Sequence, residues 1–280
     1  MSECYREFFI ENSIVIKSEE FLDSIASEGT SLYEVVRIID KVPLFLERHL
    51  QRLENSAEIV NLKLWMDTSE VKENLKKLIE VNMVDNGNIK IVFNYKKDDD
   101  KVKHTFLAYF IKHKYPEEKQ YEEGVPTILC FIERNNPNAK IINTEFKRIT
   151  DEKIKQADAY EAILVDRNDN ITEGSKSNIF MVKGDTVLTA PLLDVLPGIT
   201  RQVIMEICKA EGISLKEEKV NYKDLKKLDG LFITGTSPKV LPISKIEDMS
   251  FDSSNNSIVQ RIMKAYNNII IAYKSKNNIT

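Results

Sequence analysis

Residues 160–201 read YEAILVDRNDNITEGSKSNIFMVKGDTVLTAPLLDVLPGITR. The apolar run Ala162–Val165 predicts a short buried strand, and the Asp- and Asn-rich segment Asp166–Asn170 predicts a tight turn. Two further strands follow, joined by a hairpin turn at Lys183–Asp185. A helix begins after Gly198, so the stretch predicts three short strands that lead into a helix.

Two polar features of this stretch have possible chemical roles. Glu173 is a lone acid beside Gly174 between two apolar strands, which predicts a semi-buried carboxylate. Gly198, Ile199 and Thr200 offer backbone N–H groups at a helix start, where free donors and the helix dipole favour an anion. Taken singly, the first feature also fits a solvated surface acid and the second an ordinary turn.

Together, the motifs ITEGSKSNIF at 171–180 and LPGITR at 196–201 resemble the signature of the class IV aminotransferases. These fold type IV enzymes include branched-chain aminotransferases, D-amino acid aminotransferases and aminodeoxychorismate lyases. The resemblance extends from about Tyr33 to Ile243. It is specific because several separate motifs occur in the family's order. It implies an α/β (α+β) fold of two domains, each with a mixed sheet and flanking helices, and pyridoxal 5'-phosphate (PLP) as the cofactor.

The composition is that of an ordinary globular protein. The 280 residues are 42% hydrophobic and 30% charged, with a formal net charge of −4 at pH 7. This is enough for one large or two modest domains. Nucleic-acid binding would need a basic face, whereas the lysine runs here are interleaved with acids. No nucleic-acid partner is therefore expected.

The cysteines and histidines favour neither a disulfide framework nor a metal site. The three cysteines are far apart and odd in number, and the three histidines are scattered. Cys208 lies on an apolar helix stripe and is predicted to be a core residue. The N-terminal residues lack the basic start and apolar centre of a signal peptide, and no apolar run approaches the roughly 20 residues of a membrane span. We expect a cytoplasmic protein with no metal and no membrane partner.

A charged segment divides the chain. Residues 114–126 read KYPEEKQYEEGVP, with two prolines and no apolar period. We predict that they link a small N-terminal α/β domain, residues 1–113, to a larger cofactor-binding domain, residues 127–280.

Several elements can be placed by apolar spacing. Intervals of three and four predict helices over Glu47–Val60 and Glu145–Ala157. A third helix is predicted over Ser69–Val81, with Ser69 as its N-cap. Leu215–Val220 is predicted to form one strand.

The resemblance assigns the cofactor residues. Lys140, in the segment NAKIIN, stands at the family's spacing before the YEAIL strand and is implied to be the lysine that carries the cofactor and moves the proton. Glu173 is implied to keep the pyridine nitrogen protonated. Arg52 matches the family's phosphate-binding arginine, and a guanidinium can hold a phosphate bidentately. The remaining phosphate-binding residues are implied to be Ile199, Thr200, Gly235 and Thr236.

The substrate residues are less completely assigned. Tyr33 matches the family's substrate-facing tyrosine, and Lys90 stands where the L-specific and lyase branches often have an arginine. The Arg-x-His pair that binds the substrate carboxylate in the D-amino acid branch is replaced here by Asn94-Tyr95-Lys96. No residue is identified as the partner of the cofactor's phenolic oxygen.

These assignments imply an aminotransferase that moves an amino group from an L-amino acid, with branched-chain substrates favoured, to a 2-oxo acid such as 2-oxoglutarate. Two alternatives stay open at this point. One is an aminodeoxychorismate lyase that uses the same Lys140 to release pyruvate. The other is a non-catalytic protein that binds the cofactor or a partner through this fold. The family completes its active site at a dimer interface, so the resemblance also implies a homodimer.

Overall fold

A computed structural model describes residues 2–99 and 101–277. The chain forms two compact units. The first comprises Met1–Lys114, Ala139–Ile142 and Ile270–Thr280, and the second comprises Tyr115–Asn138 and Asn143–Ile269. The segment that carries Lys140 therefore belongs to the first unit, although in the sequence it lies between two segments of the second unit.

The first unit is built on a six-stranded sheet in which every neighbouring pair is antiparallel, in the order β2-β1-β6-β5-β3-β4. Its elements are β1 (Phe8–Glu11), β2 (Ile14–Lys17), α1 (Ser24–Ser27), β3 (Thr30–Ile39), β4 (Val42–Pro43), α2 (Leu46–Ile59), α3 (Thr68–Asn82), β5 (Gly87–Asp98) and β6 (Lys101–Ile111).

One face of this sheet packs against α2 and α3. Leu50, Leu53 and Ala57 of α2 are buried in a core with residues of β3, β5 and β6, because residues three and four apart share one face of a helix. The predicted helix over Glu47–Val60 is confirmed within one residue at each end. The opposite face of the sheet carries a second cluster that includes Tyr109, since successive side chains of a strand alternate between faces.

Helix α3 begins with a capping box. The Asp67 carboxylate accepts the backbone N–H groups of Ser69 and Glu70, and the Glu70 carboxylate accepts the N–H of Asp67. The prediction that Ser69 is the N-cap is therefore wrong by two residues. Ser69 lies inside the helix and its hydroxyl donates to Asp67, because a carboxylate at position 67 can satisfy two helix N–H groups at once.

The second unit is built on a ten-stranded sheet that combines parallel and antiparallel pairs, in the order β12-β11-β10-β14-β15-β7-β8-β9-β13, with β16 paired to β15. Its elements are α4 (Glu118–Glu123), β7 (Val125–Phe131), α5 (Thr144–Gln156), β8 (Glu161–Val165), β9 (Asn170–Gly174), β10 (Asn178–Lys183), β11 (Thr186–Thr189), α6 (Ile199–Ala210), β12 (Ser214–Glu217), β13 (Val220–Asn221), β14 (Gly230–Gly235), β15 (Lys239–Ile246), β16 (Met249–Ser250) and the first part of α7 (Ser257–Asn277), which belongs to the first unit from Ile270 onward.

Two segments have local structure that their sequences did not indicate. Residues 114–126, predicted to link the two domains, contain α4 and the start of β7, because Glu117 and Gln120 form a capping box that a count of charges does not reveal. The single strand predicted over Leu215–Val220 is two strands. β12 pairs with β11 and β13 pairs with β9, so the chain changes partner after Glu217.

The prediction that Cys208 is a core residue is consistent with the structure. Cys4, Cys130 and Cys208 are free and buried, and Cys208 lies among the buried residues of α6 as its stripe predicts. Among the helices that the structure describes, none combines the length and the apolar content needed to cross a membrane.

Candidate active site

Lys140 is held beside strand β3 in the first unit. Its carbonyl oxygen accepts the N–H of Tyr33 at 3.1 Å, and the N–H of Ile142 donates to the carbonyl oxygen of Ser31 at 3.0 Å. The N–H of Lys140 itself donates to the hydroxyl of Ser56 on α2 at 3.1 Å. Two backbone–backbone hydrogen bonds and one from a backbone N–H to a hydroxyl therefore fix the position from which the lysine side chain extends.

The Lys140 amine lies over an aromatic ring. Its Nζ atom is 4.5 Å from the centroid of the Tyr33 ring, within cation–π distance. Lys90 Nζ lies 5.4 Å from the same centroid. The structure thus brings together three residues predicted from the sequence: the predicted cofactor lysine and both predicted substrate residues.

Arg52 is part of a buried ionic network in the first unit. Its Nε donates to Glu34 Oε1 at 2.7 Å and its Nη2 donates to Glu34 Oε2 at 2.6 Å. His49 Nδ1 lies 2.7 Å from Glu34 Oε2. Glu34 is 0% exposed, so this bidentate pair fixes the plane of the Arg52 guanidinium. The phosphate role of Arg52 stays a prediction.

The network sets the charge state of its members. Burial raises the pKa of Glu34, but the Arg52 guanidinium and His49 outweigh burial and lower it to about 2. Burial lowers the pKa of His49, and the charge of Glu34 only partly opposes this. The sequence analysis missed Glu34 and His49 as functional residues. The spacing of His49 and Arg52 on one face of α2 was the available signal.

Glu173 is a buried carboxylate at the end of β9 in the second unit, 2% exposed. Its Oε2 accepts hydrogen bonds from Asn178 Nδ2 at 3.2 Å and from the N–H of Leu196 at 3.0 Å. Arg134 Nε lies 2.8 Å from its Oε1. The two donors and the ion pair stabilise the ionised form of the carboxylate in a buried position.

Arg134 was missed by the sequence analysis, which treated residues 133–137 only as a turn. Besides pairing with Glu173, its Nη2 donates to the carbonyl oxygen of Ser175 at 2.5 Å, and its guanidinium lies 4.4 Å from the Phe146 ring centroid. Arg134 therefore ties the turn before Lys140 to the chain on both sides of Gly174. A turn arginine gives no sequence signal of such a long-range pair.

Two glycines, one in each motif, leave room for the close approach of neighbouring side chains. A Cβ at Gly198 would overlap Asn178 Oδ1, and a Cβ at Gly174 would lie 2.6 Å from Glu161 Oε1. Gly198 has φ −61°, so close approach and not backbone strain requires glycine there. Asn178 thus contacts Glu173 and the start of α6 at once.

The predicted phosphate-binding residues of the second unit share this neighbourhood. Ile199 and Thr200 form the first turn of α6, directly after Gly198. Asn178 of β10 lies opposite Thr234 of β14, so Gly235 and Thr236 continue from the same level of the sheet. A twelve-residue helix that starts beside a glycine offers N–H donors and a positive dipole end. This donor set fits an anion such as a phosphate.

Lys90 is paired inside the first unit. Its Nζ donates to both carboxylate oxygens of Glu3, at 2.9 and 2.8 Å, and the Tyr109 hydroxyl donates to the same carboxylate at 2.7 Å. Asn94, at the position of the missing Arg-x-His pair, donates to Ser31 Oγ at 2.9 Å and is buried. Glu3 and Tyr109 were not predicted as site residues.

Each unit thus contributes its own set of predicted residues. The first unit groups Lys140, Tyr33 and Lys90 beside β3 and carries Arg52 on the adjacent α2. The second unit groups Glu173 with the start of α6 and the end of β14. Within the part of the chain that the structure describes, no group of three or more His, Cys, Asp or Glu side chains is placed to hold a metal ion.

Residues 31–246 match the model of the amino-transferase class IV family. The chain belongs to this family. The family's members use PLP, which the candidate residues fit: an amine at Lys140, a buried carboxylate at Glu173 and a helix start suited to a phosphate at Ile199. The activity class is therefore that of an aminotransferase.

Curated relatives of this aminotransferase include two D-alanine aminotransferases. One, from Bacillus licheniformis, is 28% identical over 257 residues, covering 89% of this chain and 90% of the relative. Another, from Staphylococcus epidermidis, is 31% identical over 252 residues, covering 86% and 89%.

Solved structures share the fold along nearly the whole chain. The Escherichia coli branched-chain aminotransferase superposes with a TM-score of 0.85 at 20% identity, covering 95% of each chain. The PLP form of the branched-chain aminotransferase from Thermobaculum terrenum gives 0.84 at 16% identity, covering 99% and 97%. A putative 4-amino-4-deoxychorismate lyase from Legionella pneumophila gives 0.77 at 20% identity, covering 86% and 91%. The predicted fold of α/β type with helices flanking the sheets is confirmed.

Proposed function

We propose that this aminotransferase moves an amino group from an L-amino acid, branched-chain substrates being favoured, to 2-oxoglutarate, with Lys140 as the residue that holds and transfers the proton. The placement of the Lys140 amine over the Tyr33 ring, 4.5 Å from its centroid, carries the proposal. The replacement of the Arg-x-His pair by Asn94–Lys96, where Asn94 makes structural hydrogen bonds, supports an L-amino acid as donor.

The other residues have supporting roles in this proposal. PLP, when bound, supplies a ring that withdraws electrons from the substrate Cα–H bond. Glu173 keeps the ring nitrogen protonated, and Arg134 and Asn178 hold the Glu173 carboxylate in place. Lys140 would take up the Cα proton of the amino acid and hold it for return.

The phosphate of the cofactor needs several donors of different kinds. We assign it to the Arg52 guanidinium, the backbone at Ile199 and Thr200, and the end of β14 at Gly235 and Thr236. Glu34 holds the Arg52 guanidinium in one plane.

Variants of Lys140 test the assignment. Lys140→Ala should abolish the visible absorbance of the bound cofactor and lower turnover by at least about 10³-fold, the size of losing the acid–base group. Lys147→Ala is the matched control, because Lys147 is an exposed lysine of α5. Unchanged absorbance and turnover in the Lys140 variant would contradict the proposal and favour a non-catalytic binding protein.

A D-amino acid donor is the second candidate. It is supported by the two relatives named D-alanine aminotransferases, which are 28% and 31% identical to this chain. A spectral screen distinguishes an L-amino acid donor from a D-amino acid donor. L-leucine, L-valine, L-alanine and D-alanine are each added to the cofactor-loaded enzyme, and loss of the cofactor's visible absorbance is followed. A response to the D-isomer alone would overturn the L-specific proposal.

The lyase reaction can be distinguished by its product. Aminodeoxychorismate is supplied without an amino acceptor and pyruvate is measured. Turnover that depends on 2-oxoglutarate supports the transferase, and pyruvate release without any acceptor supports the lyase.

We also propose that the enzyme is a cytoplasmic homodimer. The family resemblance supports the assembly, and three free buried cysteines fit a reducing compartment. Light scattering on the eluting protein gives the mass directly, and a mass near the 32.3 kDa of one chain would contradict the dimer.

A further inference from the structure

Lys90 and Tyr109 form a carboxylate-binding pair on one face of the first sheet. The two residues lie directly opposite each other on β5 and β6. Lys90 is 8% exposed and Tyr109 is 0% exposed. Two buried donors aimed at one carboxylate, one of them charged, are what recognition of a carboxylate requires.

The carboxylate on this pair belongs to the protein itself. Glu3 accepts two hydrogen bonds from Lys90 Nζ, at 2.9 and 2.8 Å, and one from the Tyr109 hydroxyl at 2.7 Å. Burial and the Glu3 charge both raise the pKa of Tyr109, so its hydroxyl stays protonated and donates. Glu3 therefore occupies the donors that a ligand carboxylate would use.

Glu3 is fixed in this position by its own backbone. The N–H of Glu3 donates to Asp23 Oδ1 at 2.8 Å, and the N–H of Tyr5 donates to the carbonyl oxygen of Phe110 at 2.8 Å. The Glu3 side chain is still 36% exposed, against 10% for the side chain of Lys90. The acid is thus the accessible half of a pair whose cation is buried.

The pair adjoins the candidate substrate residues. Lys90 Nζ lies 5.4 Å from the Tyr33 ring centroid, and Lys140 Nζ lies 4.5 Å from that centroid. All these side chains belong to the first unit. A substrate that contacts Tyr33 and Lys140 has Lys90 within reach.

We propose that Glu3 is a specificity-determining residue, a built-in carboxylate that competes with ligand carboxylates for Lys90 and Tyr109. Substrates with a second carboxylate are disfavoured, because they must displace Glu3 or meet a neutralised Lys90. The identity of the ligand as a substrate rests on the proposed aminotransferase function. An acceptor such as 2-oxoglutarate gains affinity when Glu3 is removed.

Glutarate is the probe, because it carries two carboxylates and cannot be transaminated. Its dissociation constant is measured by isothermal titration calorimetry on wild type, Glu3→Gln, Glu7→Gln and the double variant Glu3→Gln/Lys90→Gln, each loaded with cofactor. Glu7 is the matched control, because it is an exposed acid of the same N-terminal segment. Thermal unfolding of each variant confirms that it is folded.

We expect Glu3→Gln to bind glutarate roughly fivefold more tightly, the size of a partly exposed charge pair. Glu7→Gln should match wild type within about twofold, because long-range charge effects are screened by salt. The double variant Glu3→Gln/Lys90→Gln should not show this tighter binding of glutarate, because it lacks the Lys90 amine. An unchanged dissociation constant in Glu3→Gln, an equal gain in Glu7→Gln, or a gain that survives in the double variant each overturns the proposal.

This test is independent of turnover. If glutarate binding responds as expected but no amino acid alters the cofactor absorbance, the competing role of Glu3 stands and the proposed function fails. If transamination is observed but Glu3→Gln leaves the affinity for glutarate unchanged, the proposed function stands and the competing role of Glu3 fails.

Discussion

At the scale of single residues, Glu34 is held by several buried contacts in the first unit. Its carboxylate accepts two hydrogen bonds from Arg52, contacts His49, and is wholly buried. Removing its charge leaves a buried guanidinium without its ion-pair partner, which is far costlier than losing a surface pair. Glu34 thus links the stability of the unit to the orientation of Arg52.

Glu34→Gln should lower the free energy of unfolding by about 3 kcal/mol in urea titrations at pH 7. Glu54→Gln, at an exposed acid on α2, the helix that carries Arg52, should change it by less than about 0.5 kcal/mol. The pKa of Glu34 falls from 4.5 to about 2 on folding, so its contribution is complete above pH 4.5 and is lost as the pH falls toward 2. The variant should accordingly lose less stability than wild type over that range, and a parallel loss in both proteins would rule out this role.

Gly198 gives a second prediction at this scale. Gly198→Ala should weaken the contact of Asn178 with Glu173, because the new methyl group occupies the place of Asn178 Oδ1. We expect a loss of about 2 kcal/mol in unfolding free energy and a weaker affinity for PLP, measured by fluorescence titration. Gly230→Ala is the control, since the nearest atoms there are Asn256 side-chain atoms at 3.3 Å. Equal losses in the two variants would contradict the argument.

At the scale of elements, the start of α3 shows how a cap is chosen. Asp67 accepts two backbone N–H groups, whereas Ser69 only donates its hydroxyl to Asp67. Asp67→Ala should therefore lower the Tm measured by circular dichroism more than Ser69→Ala does. The opposite order would restore Ser69 as the cap, as its position in the sequence suggested.

Helices with a clear apolar stripe were predictable to within one or two residues. α2 and α5 are examples, since burial of one face fixes both the period and the length. The division of residues 215–220 into β12 and β13 was not predictable. It depends on which distant strands, β11 and β9, offer free edges, and a local pattern contains no information about distant partners.

At the scale of the whole molecule, the sequence motifs indicated candidate site residues but not the residues that contact them. Lys140 and Glu173 are marked by their neighbours in the sequence. Arg134, Glu34 and Glu3 gain their importance only from partners 39, 18 and 87 positions away, and a single acid or arginine in isolation resembles any surface charge. The membership of Lys140 in the first unit was equally unpredictable from the sequence, because chain order does not determine spatial neighbours.

The burial of all three thiols provides a way to follow the unfolding of each unit by thiol labelling. Cys4 lies in the first unit, and Cys130 and Cys208 lie in the second. Burial raises the pKa of Cys4 and of Cys208 to about 11, so alkylation of the native protein at pH 8 should be slow. Under mild urea, mass spectrometry after a short pulse of iodoacetamide should show whether Cys4 is labelled before the other two. Simultaneous labelling of all three would mean that the chain unfolds as one cooperative block, whereas early labelling of Cys4 alone would report release of the N-terminal segment that carries Glu3.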